Sequence, residues 1–147
     1  MLFLTLHLAT ALMLTQAPPA NVACSVLTPA QVTSLIGAVK MLPMSSAANG
    51  SACMFQNEDK IVTVLVATNA SADGAKGVFD AKQRMVAGTA ITGWGVPAYS
   101  GSMKNAAACG VLKQQTLVEV KMSDSTQTPD AMVKKLQIVM KEFAARK

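Results

Sequence analysis

Histidine is almost missing from this chain. The one present, His7, stands in an apolar opening stretch, and none follows it in the 147 residues. Nucleophilic catalysis through Ser-His or Cys-His pairs and imidazole metal sites both need a ring held by the folded domain. Once the opening stretch is set aside, no such ring remains. Charge is missing from the first 39 residues, Lys40 being the first ionised side chain. Carboxylates are few, and no pair is spaced to face across a cleft as glycosidic acid–base work requires. Glu58 and Asp59 are adjacent, which suits a solvated turn. Aromatic residues make up only 4% of the chain, too few for a stacking platform on single-stranded nucleic acid. The net charge of +5 is dispersed, so it supports at most a weak attraction to anionic envelope surfaces and excludes nucleic acid as a partner. No cofactor is indicated, and the chain reads as non-enzymatic.

What stands first is a leader. "MLFLTLHLATALMLTQAPPA" runs apolar from Leu2 to about Leu14. That length fits a secretory h-region and falls short of the roughly 20 apolar residues a spanning helix needs. Pro18 and Pro19 then break the segment where a cleavage region belongs. A basic n-region is lacking. Cleavage after Ala20 or after Ala23 meets the need for a small residue at the cut. The competing reading is a buried N-terminal helix. The expected division is a signal peptide over 1–23 and one domain over 24–147, located in the periplasm or secreted.

Export puts Cys24, Cys53 and Cys109 in an oxidising compartment. Three is odd, so one is left over. Cys24 and Cys53 each lie beside an element boundary and form the expected disulfide. Closing that loop of about 30 residues stabilises by roughly 3–4 kcal/mol on chain-entropy grounds. Cys109 opens an apolar run and reads as a buried thiol. The rival account of Cys24 is a lipobox, which would tether the chain to a membrane. It wants Leu or a similar residue three places earlier, where Asn21 stands.

The spacing predicts a short helix in "LTPAQVTSLIGA", with Thr28 as cap, Pro29 in the first turn and Gly37 at the end. "VKMLPMSSAANGSA" reads as a loop. "ACMFQ" and the β-branched "IVTVLVATN" read as a hairpin. A second helix follows, with Val78, Phe79, Lys82, Met85 and Val86 on one side. "TAITGWGVPAYSG" is irregular and ends in a short strand near Ala98–Tyr99. "ACGVLK" and "TLVEVKMS" make a second hairpin. The last helix carries Met132, Val133, Leu136, Val139, Met140 and Phe143 on one stripe, with Lys134, Lys135, Lys141 and Glu142 opposite. The expected class is α+β: an antiparallel sheet of about five strands covered by helices on one face, in the order α-ββ-α-βββ-α.

Several motifs dissolve on inspection. "GWGVPA" has the letters of a dinucleotide loop at Gly93, Gly95 and Ala98, but Pro97 and Tyr99–Gly101 oppose the helix that must follow. "TNASADG" has a calcium-loop rhythm at Asn69, Ser71 and Asp73 with no closing Glu. "ACSVLTPAQVTSLIG", "CMFQ", "ITGWGVPAY" and "GVLKQQTLVEVKM" together resemble small exported bacterial domains of unknown function. Many of those are counted as lipoproteins, with a Cys-x-Leu-Leu-Thr-x-x-Glu-Val start. Here Gln31 stands for the acidic residue and Met54 for an aromatic one. The resemblance implies an α+β sandwich and carries no catalytic residues.

The expected function is binding, in the envelope or outside the cell, of an unidentified protein or small ligand. The candidate surface is the "GWGVPAYSG" segment, where Trp94 and Tyr99 fall close together. A membrane is a partner only if Cys24 is lipidated, in which case the chain is an anchored envelope protein with an assembly or sensing role.

Overall fold

A computed structural model describes residues 21–47 and 49–147; most of the stretch expected to be a signal peptide, residues 1–20, lies outside them. A 3-10 turn over Val22–Ser25 opens the fold, followed by α1 (Pro29–Ile36). The strands β1 (Lys40–Ala47), β2 (Gly50–Asn57) and β3 (Lys60–Thr68) form a meander. Helix α2 (Ala72–Met85) leads to β4 (Thr89–Ile91), β5 (Ala98–Met103), β6 (Ala106–Lys113) and β7 (Thr116–Ser123), and α3 (Pro129–Ala145) ends the chain. All seven strands join one antiparallel sheet in the order β1-β2-β3-β7-β6-β5-β4.

The α+β class stands, but the expected five strands are corrected to seven and the order to α-βββ-α-ββββ-α. The two unexpected strands are the sheet edges. β1 occupies the stretch read as a loop, because it contains Pro43 and a run of small polar residues. Pro is tolerated there since an edge strand has one side free of ladder bonds. A register shift between Pro43 and Ser45 interrupts the same edge, and an irregular, Pro-containing edge is a poor template for adding another strand. β4 is only three residues long and alternates too briefly to be read.

The helices do not share one face, which is a second correction. α1 and α3 cover one side of the sheet and α2 the other. The larger core packs Val32, Leu35 and Ile36 of α1 and Met132, Leu136 and Met140 of α3 over Phe55, Val62, Val64, Val120 and Met122. The smaller core packs Ala75 and Phe79 of α2 with Val86 over Tyr99, Ala108, Leu112 and Leu117. Strand β6 lies under helices on both sides and is buried from Ala106 to Leu112. Its small residues, Ala106, Ala107, Ala108, Cys109 and Gly110, let both layers approach.

Local chemistry fixes the connections. Thr28 and Gln31 complete a capping box at α1, so Gln31 performs the task an acidic residue has there. Gln31 also donates to Glu142 of α3 at 2.6 Å. Asn57 donates to the Ile36 carbonyl at the helix end. Cys24 and Cys53 form a disulfide with their Cα atoms 5.1 Å apart, which pins the segment before α1 to β2. The folded unit reaches back past Cys24: Ala23 is fully buried, its N–H donates to Ser51 Oγ at 3.0 Å, and Asn21 Nδ2 donates to the Ala52 carbonyl at 2.8 Å. The "TNASADG" stretch is a helix start, with Ser71 capping α2 through the Gly74 N–H. Asp59 of the Glu58–Asp59 turn accepts from Ser125.

Candidate functional site

The β4–β5 connection is shaped by two glycines. Gly93 and Gly95 have φ of 82° and 75°, a region that other residues enter only with strain. A Cβ at either would meet nothing within 4 Å, so conformation and not space requires glycine. Between them Trp94 is turned onto the larger core, half-buried. Strand β5 follows at Ala98; no helix starts there, so the dinucleotide letters have no phosphate site behind them.

The rest of the indole faces α3. Trp94, Lys134, Gln137, Ile138 and Lys141 line a groove of about 420 Å³. Gln137 Nε2 donates to Ser100 Oγ of β5 at 2.8 Å, tying the helix to the strand that carries the turn. Ile138 is 65% exposed, and Lys134 and Lys141 are exposed as well. The ion pairs among the described residues are Lys76–Asp80 and Lys82–Glu119, and neither involves these lysines.

Tyr99 does not belong to this surface, and its place beside Trp94 is corrected. It is fully buried. Alternation along β5 sends Ala98 and Ser100 toward α3 and Tyr99 toward α2. Its ring meets Phe79 edge-on, centroids 5.0 Å apart, and lies across Gly110 of β6. Its hydroxyl donates to Glu119 Oε2 of β7, and Glu119 Oε1 faces Lys82 Nζ of α2 at 3.3 Å. Burial, then the bond to Glu119 and that residue's charge, pushes the Tyr99 phenol far above its usual range. Tyr99 and Glu119 are buried against each other, while Lys82 keeps part of its side chain in solvent.

Cys109 is buried and free. Burial first, then the charge of Glu119, pushes its thiol up to about 12, so it is protonated at neutral pH and a poor nucleophile. Asp124 is 1% exposed. Burial raises its carboxyl, but the Thr126 hydroxyl and N–H, Gln127 and the charge of Lys60 outweigh that and hold it below the usual carboxylate range. It organises the turn before α3. Among the described residues no group of three or more His, Cys, Asp or Glu side chains is placed to hold a metal ion, and no helix is long and apolar enough to cross a membrane.

A second groove, of about 310 Å³, runs beside the disulfide between α1 and β2, lined by Leu27, Val32, Val39, Met41 and Phe55 among others. It carries no ionised side chain. The Cys24 sulfur at its rim is taken up by Cys53 and is not free to carry a lipid thioether.

Of the groove residues, sequence reasoning singled out Trp94 and placed Lys134 and Lys141 on the wet side of α3. It passed over Gln137 and Ile138. Ile138 carried a signal: a large apolar residue lying off the apolar stripe of an amphipathic helix. No protein-family model and no curated protein matches the chain.

Proposed function

We propose that this chain is an exported, disulfide-braced binding domain that acts without catalysis and takes a small ligand at the Trp94–α3 groove, in the periplasm or outside the cell. The groove carries the reading: a shallow, open surface groove joins a half-exposed indole, an exposed isoleucine, an amide and two lysines. Its size falls within the roughly 300–1,000 Å³ of small-molecule sites. A non-catalytic role is supported by the states of the reactive groups on the sheet and on α2. Cys109 is a protonated thiol, and Tyr99, Glu119 and Lys82 engage one another.

Trp94 is the single tryptophan of the chain, so its indole N–H resonance reports on the groove without ambiguity. In a small-molecule screen by nuclear magnetic resonance, binders are expected to shift that signal together with the amides of Gln137–Lys141. Trp94→Ala should abolish binding while leaving the rest of the spectrum dispersed. Binders that move only the β1 edge, or that survive Trp94→Ala, would overturn the assignment.

Export is supported by the leader and by a disulfide built into the fold. The packing of Asn21 and Ala23 favours cleavage after Ala20 over cleavage after Ala23. The later cut would delete the Asn21–Ala52 and Ala23–Ser51 hydrogen bonds and put a charged amino group where a buried residue stood. N-terminal sequencing of exported protein should begin at Asn21; a start at Cys24 would refute this.

A further inference from the structure

We infer that the ligand of the Trp94–α3 groove is a small amphiphilic anion, an apolar chain or ring ending in a carboxylate, phosphate or sulfonate. This rests on the groove being the binding site and adds the chemistry of what enters it.

The charge pattern comes first. Lys134, Ile138 and Lys141 are spaced i, i+4, i+7 and so lie along one face of α3, over about 10 Å of helix. The two lysines therefore stand one turn to either side of Ile138 along the helix. No carboxylate lines the groove. The acidic residue next to Lys141 in sequence, Glu142, is held by Gln31 on the α1 side at 2.6 Å. The groove thus presents two positive charges with no ion-pair partner among the described residues. An anion lying between them relieves their mutual repulsion and gains charge-assisted hydrogen bonds. A cation adds to the repulsion.

The apolar pattern comes second. Between the lysines stand the Ile138 side chain, 65% exposed, and the free part of the Trp94 indole. Covering both removes apolar surface from water, which a bare inorganic anion would not do. The lysine stems extend that apolar floor.

The test uses the exported chain with its disulfide formed and follows Trp94 emission. The probes share one ten-carbon chain and differ in head group: decanoate, decanol and decyltrimethylammonium, each below its aggregation limit. Anionic phospholipid vesicles form a fourth arm. Decanoate is expected to give a saturable blue shift that weakens as salt rises. It should bind at least about tenfold more tightly than the other two, the size of one charge-assisted hydrogen bond. Lys134→Gln with Lys141→Gln should erase that preference. Both lysines are exposed, so the variant is expected to keep its thermal midpoint. Equal response to all three head groups would overturn the anion inference and leave the groove standing. A shift with vesicles alone would replace the small anion with a membrane surface. Silence from every probe, with Trp94 unmoved in the screen above, would remove groove and anion together.

Discussion

Gly110→Ala is expected to destabilise the protein by about 3 kcal/mol or more, although it adds one methyl group. A Cβ on Gly110 would stand within contact distance of the Tyr99 ring and its hydroxyl oxygen. The ring cannot yield easily. It is fully buried, with Phe79 against it and Glu119 holding its hydroxyl. Displacing it costs overpacking strain of about 1–3 kcal/mol. It also breaks the Tyr99–Glu119 bond, leaving a carboxylate only 8% exposed with Lys82 as its remaining partner. A buried acceptor stripped of a donor costs a further 1–3 kcal/mol or so. Urea unfolding measures the loss, and a double-mutant cycle identifies its source. With Tyr99→Ala in place the clash with the ring is gone, so the pair should cost well below the sum of the singles. Additive losses, or a Gly110→Ala loss below about 1 kcal/mol, would mean that the ring does not rest on this glycine.

The same glycine shows how far the sequence could be read. A Gly inside the apolar run "AAACGVL" marks a close approach of another group to a strand. The group is Tyr99, its cross-strand partner. Nearness in sequence to Trp94 suggested a shared surface, but a strand begins at Ala98, and its period of two sends Tyr99 to the opposite face. Elements with a long, regular pattern were legible: β3 from its β-branched run, β7 from its alternation, α1 from its cap and glycine, α3 from its stripe. The edge strands were not, since β1 is interrupted by Pro43 and β4 is too short to show a period. Coverage of both sheet faces was written in β6, whose unbroken run of small buried residues has no wet side. A half-covered strand would have alternated. The groove was legible in parts. Its tryptophan and lysines could be named, but nothing local reveals that a turn between β4 and β5 sits against the outer face of a helix some forty residues later.

Leu136→Ala is expected to cost about 2–5 kcal/mol, while Ile138→Ala, two residues on, should cost within about 0.5 kcal/mol. Both truncate a large aliphatic side chain on α3, so the contrast isolates which side of the helix faces the sheet. Leu136 is fully buried with Met132 and Met140 on the inner stripe. Its loss removes apolar contact and leaves a cavity that β5, β6 and β7 are too tightly paired to fill. Ile138 is 65% exposed on the outer face, where little burial is lost. Thermal or urea unfolding of both variants gives the comparison, and decanoate titration of Ile138→Ala adds a second reading: binding should weaken although the fold does not. The pairing matters because a helix can hold a site only where its own stability does not need the residue. If Ile138→Ala proved as destabilising as Leu136→Ala, the isoleucine would be core and the groove a packing defect. If Leu136→Ala cost below about 0.5 kcal/mol, the inner stripe would not be buried and the packing of α3 on the sheet would be wrong. A large loss at one position with weakened binding at the other is the pattern expected of a helix whose inner face builds the fold and whose outer face is left for a ligand.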